Sequence, residues 1–146
     1  MTVSRTAATA ARVLSQLRRD PRTLALLIVL DQFSRNMFRG DARAFAQDAK
    51  AREIARRAVS SGTDKQVEPT LRRFVYLPFE HSEAIADQGL SIALFHSLND
   101  LDTLWWALDH KKIIRRFGRF PHRNKALGRH ASPAETEFLQ GGGFAG

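Results

Sequence analysis

The sequence has no cysteine. That removes disulfides, thiolate metal sites and a cysteine nucleophile together. It also lacks a bilayer-length apolar stretch. The longest run is LALLIVL, Leu24 to Leu30, whereas a spanning helix needs roughly 20 residues. The opening MTVSRTAATAAR contains no apolar segment of a secretory signal. Its Ser, Thr, Ala and Arg content faintly suggests a transit peptide, and a surface helix accounts for it equally well. With no targeting or membrane segment in view, a cytoplasmic protein that does not associate with membranes is expected. No run alternates apolar and polar residues at a period of two for long, which argues against half-buried strands. Nor is there a Gly-x-Ser-x-Gly elbow, a phosphate-cradling glycine loop, or His-x-x-x-His or Glu-x-x-His spacing. No metal and no cofactor are therefore expected.

Acidic residues are few relative to basic ones. There are 15 Asp and Glu against 23 Lys and Arg, a formal net charge of +8. A field of that sign attracts phosphates, nucleic acid or anionic lipid. Of the basic residues, 18 are arginine and 5 lysine. That bias fits planar, bidentate use of guanidinium, and it fits codon drift.

What is present is helical punctuation. With 146 residues, 43% of them hydrophobic, the chain suits one domain with its own core. That domain is expected over residues 1–140, with GGGFAG at 141–146 as a flexible tail. Helices are expected at Ser4 to Arg19, at Pro21 to Phe38 after an Asp20 cap, and at Ala42 to Ser60 after Asp41. Further helices are expected at Pro69 to Phe79, at Ser82 to Leu98 beyond a kink or break at Pro78, and at Leu101 to Phe117. Gly40, Gly62 and Gly118 terminate three of them. Pro121 opens a short turn, and Ser132-Pro133-Ala134-Glu135 is a capping box for a last short helix. Helices joined by short loops pack as antiparallel neighbours, so the expected fold is all-α, with helical hairpins stacked side by side. No repeat of fixed period is found.

Three polar features interrupt the apolar pattern. Leu24, Leu27, Ile28, Asp31 and Arg35 share one helix face, and Leu26, Leu30, Phe33 and Met37 fill another, so this helix should be central. Asp31 is then drawn inward, where an unpaired carboxylate is expensive. It is either a buried tether, paired with Arg35 four residues on or with another segment, or a general base of raised pKa. Second, His110 lies on a stripe with Trp106, Ile113, Ile114 and Phe117, as a core histidine would. His81 extends the Phe74, Leu77 stripe, and Glu80, Ser82 and Glu83 crowd around it. A neighbouring carboxylate would fix its tautomer and raise its basicity.

The third feature is RFGRFPHRN, Arg116 to Asn124. Lys111, Lys112, Arg115 and Arg116 complement a helix C-terminus. Arg119, His122, Arg123 and Asn124 lie beyond it, with Arg129 close behind. Phe117 and Phe120 should anchor the turn. The segment is either a latch docked onto Asp31 and Glu83, or a cluster that binds an external anion through guanidinium forks.

Three stretches carry a family resemblance: LIVLDQFSRNMFRGDARAFAQDAKA (Leu27 to Ala51), FVYLPFEHSE (Phe74 to Glu83) and HKKIIRRFGRFPHRNKALGRHASPAE (His110 to Glu135). Together they resemble a family of uncharacterised, mostly bacterial proteins, a domain of unknown function placed in the TPR-like helical superfamily. The resemblance covers roughly residues 20 to 140 and implies paired helices with no established chemistry. The family motif falls on Asp31, Gln32, Arg35, Asn36 and Arg39. It continues on Tyr76, Pro78, His81, Ser82, Glu83 and Gln88, and then on His110, Arg116, Gly118, Arg119, Pro121, His122, Arg123, Asn124, Gly128 and Arg129. Two departures stand out. The family's N-terminal segment with aromatic and Asp-rich motifs is missing here, which would leave an apolar groove open or filled by a partner. Asp87 and Gly89 interrupt a stretch that is more apolar in relatives, which puts that helix's rigidity in doubt.

The function expected is a binding module. Arg35, Asn36, Arg39, Arg116, Arg119, His122, Arg123 and Asn124 would take a carboxylate or phosphate from a small ligand or an acidic peptide; nucleic acid is a less favoured partner. One alternative is an enzyme acting on a small anionic substrate, with Asp31, His81, Glu83 or His122 exchanging protons. Another is a structural subunit that pairs, with itself or with another chain, through an open apolar face.

Overall fold

The computed structural model describes residues 22–146. The helix expected at Ser4 to Arg19 and the Asp20-Pro21 start lie outside the described residues. Among the described residues the chain is all helix and turn, with no strand. Helix α1 (Thr23–Leu27) runs into a π-helical stretch (Ile28–Phe33), and α2 (Ser34–Met37) completes the rod. A 3₁₀ turn (Ala42–Phe45) leads to α3 (Asp48–Ser61), and a second (Thr63–Gln66) to α4 (Pro69–Glu80). Then come α5 (Ile85–His96), α6 (Leu101–Phe117), a 3₁₀ turn (Pro121–Arg123) and α7 (Pro133–Gln140).

The caps act as their residue types require. Asp41 accepts from the Arg43 N–H, and Asp100 from the Asp102 and Thr103 N–H groups. Gly118 ends α6 at φ +71° and returns its N–H to the Ile114 carbonyl; only glycine adopts that backbone without cost. The Ser132–Glu135 capping box is formed in both directions.

Consecutive helices α3, α4, α5 and α6 pack each on the next, and α1 lies across α3 and α4. The core joins Leu24 and Leu27 to Leu71, Val75, Tyr76, Phe79 and Phe95. Ala51, Ala55 and Ala58 form the buried stripe of α3, where small side chains let its backbone approach its neighbours. A second cluster, Ile113, Ile114 and Phe120 with Phe117, Phe138 and Phe144 against it, anchors the chain after α6.

Several expectations need correction. The helix expected over Ala42 to Ser60 is a 3₁₀ turn plus a separate helix. Pro78 does not end α4, which continues to Glu80; so near the C-terminus the ring forfeits one ladder bond only. The next helix starts at Ile85, not Ser82. It is unbroken across Asp87 and Gly89, because Asp87 accepts from Ser82 Oγ (2.7 Å) and Arg56 (2.8 Å). The first rod is not buried on two faces: Leu26, Val29, Phe33 and Met37 are exposed. Residues 141–146, expected as a tail, place Phe144 against the rings of His110 (4.7 Å) and His122 (5.1 Å).

Candidate functional site

Asp31 lies in the π-helical stretch and is 1% exposed. Single π turns inside α-helices are uncommon and often mark functional positions. Its carboxylate accepts from Arg35 Nη1 (2.8 Å), from the Gln32 amide and from His81 Nδ1 (2.8 Å). Burial would raise its pKa, but His81, Arg35 and Gln32 outweigh that and hold it below the usual carboxylate range. Asp31 is thus an ionised acceptor, not the raised-pKa base expected as one alternative.

His81 caps the C-terminus of α4. Its turn is pinned by the Gln88 side chain, which donates to the Glu80 and Ser82 carbonyls at 2.7 Å each. Burial depresses its pKa against the opposing pull of Asp31. The ring is therefore neutral near pH 7. Facing an ionised carboxylate, Nδ1 must carry the proton, and Nε2 keeps its lone pair. The partner is Asp31, fifty residues away, and not Glu80 or Glu83, the neighbours that the sequence put beside it.

Behind Asp31 the charges form one network. Arg35 holds Asp48 through a bidentate fork (2.8 and 2.9 Å). Arg123 comes from the 3₁₀ turn after α6, is 6% exposed, and lies 3.6 Å from the same Asp48. Its Nη2 donates to the His81 carbonyl at 2.7 Å. The rings of Phe45 and Phe120 flank its guanidinium at 4.6 and 4.7 Å, where cation–π attraction adds to packing. Burial lowers its pKa to about 10, so it stays charged. The acidic interior of the first rod and the basic turn after α6 are thereby neighbours.

A second layer is uncharged. Glu80 is pushed up to about 8, by burial first and then by Asp31. It faces His110 Nδ1 at 3.4 Å. That nitrogen donates to the Trp106 carbonyl (2.8 Å), and burial lowers the His110 pKa to about 4. His122 is lowered to about 3 by burial and by Arg123.

These groups surround a cavity of about 320 Å³ whose wall includes Arg35, Arg39, His81, His110, His122 and Arg123. Ala44, Phe45, Phe120 and Phe144 supply its apolar part. No carboxylate side chain lines it; Asp31 and Asp48 sit behind the arginines. A larger depression, about 850 Å³, lies along the outer face of α3 alone, among Arg52, Glu53, Arg56, Arg57, Ser60 and Ser61, and draws on no second element.

The other expected residues are elsewhere. Glu83 accepts both arms of Arg129 (2.8 and 3.0 Å) and the Phe120 N–H (2.8 Å), while Asn124 accepts from Arg129 Nε (2.9 Å). Arg119 forks onto Glu135 (2.7 and 2.9 Å) and donates to the His130 carbonyl (2.7 Å). Arg116 rides on the Phe117 ring at 4.7 Å, and Asn36 is exposed outside the cavity wall. The basic segment is therefore split: Arg119 and Asn124, with Arg129, latch the fold, whereas Arg123 and His122 turn to the cavity. Sequence reasoning missed Asp48 and Phe45, and it set Glu80 beside His81 where the structure sets it against His110. Asp48 sits in the first turn of α3, and only its burial distinguishes it from an ordinary helix acid. Among the described residues, no three His, Asp or Glu side chains gather closely enough to hold a metal ion, and no helix is long and apolar enough to cross a membrane.

The signature of one family, described as "Bacterial protein of unknown function (DUF924)", matches residues 2–143. The chain belongs to that family. A solved structure titled as that of a protein of unknown function, ATU0120 from Agrobacterium tumefaciens, is 41% identical. It superposes with a TM-score of 0.80 over 96% of this chain and 79% of that one. No curated protein matches the sequence.

Proposed function

We propose that the chain is a helical binding module of TPR-like architecture whose cavity takes a small anion, a carboxylate or a phosphate. One observation carries this reading. Arg35, Arg39 and Arg123 line the cavity with no carboxylate side chain beside them in its described wall; Asp31 and Asp48 pair with Arg35 and Arg123 from behind, and Arg39 makes no ion pair among the described residues. With Glu80 protonated and the histidines neutral at pH 7, Arg39 is left as a cation at the cavity rim with no ion-pair partner among the described residues. An entering anion supplies the balance, and low local dielectric strengthens its attraction. Arg39, with no hydrogen-bond partner among the described residues, is the free donor. The aromatic part of the wall suits the ligand's apolar body, and the volume fits a small metabolite.

A nucleic-acid partner is less well supported. Phe120 is fully buried and Phe117 packs on Phe138 at 5.1 Å, so neither offers a platform for base stacking. The exposed Leu26, Val29, Phe33 and Met37 agree with an additional protein partner or self-association. A cytoplasmic setting, rich in small acids, fits the reading.

Calorimetric titration with succinate and with inorganic phosphate tests it. Saturable binding of one of them is expected, weakened tenfold or more by Arg39→Ala with the melting temperature unchanged. Absence of heat for both, or full affinity in Arg39→Ala, would defeat the proposal.

A further inference from the structure

Building on the anion-binding reading, we infer that His81, positioned by Asp31, is a general base that activates water for hydrolysis of an acyl ester bearing a carboxylate. Three observations carry this. First, Asp31 and His81 form a buried carboxylate–imidazole pair at 2.8 Å; this arrangement fixes one tautomer and stabilises the imidazolium formed when the ring accepts a proton. Second, His81 Nε2 makes no hydrogen bond among the described residues, and its ring lines the cavity. Third, the base and the cations adjoin: Arg35 Nη1 and His81 Nδ1 bond the same Asp31 oxygen, each at 2.8 Å. Arg123 is tied to the His81 carbonyl. An anion held by this cluster is therefore beside the imidazole. The depressed basicity caused by burial keeps the ring unprotonated at neutral pH, ready to accept.

The nucleophile must be water. The described wall carries no Ser, Thr or Tyr hydroxyl, and nearby Ser82 spends its proton on Asp87. The step then balances without a co-reactant. The water oxygen attacks the acyl carbon as Nε2 takes its proton, and the carbonyl pair moves onto oxygen, where the guanidiniums stabilise it. On collapse the ester C–O bond breaks, and the proton passes from Nε2 to the leaving oxygen. The products are an acid and an alcohol. Asp31 is a positioning residue; His81 is the catalytic one.

The test uses the full chain with mono-4-nitrophenyl succinate, with neutral 4-nitrophenyl acetate as control. Nitrophenolate release above buffer is expected, with kcat/KM favouring the anionic ester at least tenfold. The rate should rise with pH through the His81 titration and then level off. His81→Gln should lower kcat about 100-fold while succinate still binds, and Arg39→Gln should raise KM for the anionic ester about tenfold. If succinate binds but the ester is not cleaved, or if His81→Gln keeps its rate, the general-base assignment is overturned and the binding site survives. If succinate does not bind, both are overturned. Nitrogen NMR supplies a check independent of turnover: His81 must show a protonated Nδ1 and a bare Nε2 at pH 7, and the reverse tautomer overturns the assignment.

Discussion

Replacing Asp48 by Asn gives the sharpest view of the charge network, because it should move stability and affinity in opposite directions. Asp48 is buried, receives the full fork of Arg35 and lies 3.6 Å from Arg123. Removing one member of a buried ion-pair network costs about 3–5 kcal/mol. Arg35 retains Asp31 and its side chain is 20% exposed, so about 2–4 kcal/mol is the better figure. For a chain of this size each kcal/mol lowers Tm by about 2–4 °C, giving a drop of roughly 4–16 °C in thermal denaturation followed by circular dichroism. The same change adds one net positive charge behind the cavity wall. A charge about 5 Å away at an effective dielectric near 20 is worth about 3 kcal/mol. Even halved by solvent, that tightens anion binding about tenfold. Calorimetry with succinate should show the tighter binding, and saturating succinate should return part of the lost Tm. A variant that melts like the parent, or binds succinate more weakly, would refute the reasoning.

Glu80→Gln addresses pH. The folded carboxyl titrates near 8 and the unfolded one near its ordinary 4.5, so its contribution is complete below about 4.5 and is lost as pH rises toward 8. Burial of neutral His110 and His122 acts oppositely: their contribution is complete above about 6.5 and is lost as pH falls toward 4 and 3. Stability, measured as the urea midpoint, should peak between about pH 6 and 7. Glu80→Gln should remove the decline above 6.5, whose slope is at most about 1.4 kcal/mol per pH unit; an unchanged slope contradicts the assignment. Glu83→Gln breaks the Arg129 fork and the bond from the Phe120 N–H, and should lower Tm by several degrees. Arg119→Ala frees a partly exposed fork on Glu135 and should lower Tm less, with succinate affinity unaltered; a large affinity loss would move Arg119 back into the site.

Helix identity and most boundaries follow from local chemistry. Asp41, Asp100, Gly118 and the Ser132–Glu135 box act over a few residues, so their effect is readable without knowing what packs where. The buried face of the first rod, with Leu24, Leu27 and Asp31, is likewise a matter of period. Pro78 misled because a proline's cost depends on where the helix ends, and that end is set by the Gln88 clamp on the Glu80 and Ser82 carbonyls. Some of the residues around the cavity were legible as well: Asp31 and His81 stood out as polar groups on apolar stripes, and Arg123 as part of a basic cluster beyond a helix end.

Their pairing was not legible. Adjacency in sequence offered Glu80 and Glu83 to His81, yet α4 ends so that Asp31 reaches the ring, Glu83 turns to Arg129, and Glu80 is buried against His110. Arg119 and Arg123, four residues apart in one basic segment, part company because the 3₁₀ turn at Pro121 sends one outward to Glu135 and the other inward to Asp48. The sequence by itself determined an all-helical chain, its caps and the surplus of arginine, because each depends on neighbours within a turn or on simple addition. Which acid meets which base, which groups lose their charge through burial, and that Arg35, Arg39 and Arg123 come to line one cavity at all were decided only by the tertiary structure. Coulomb attraction and desolvation depend on distance and burial in space, and neither is fixed by separation along the chain.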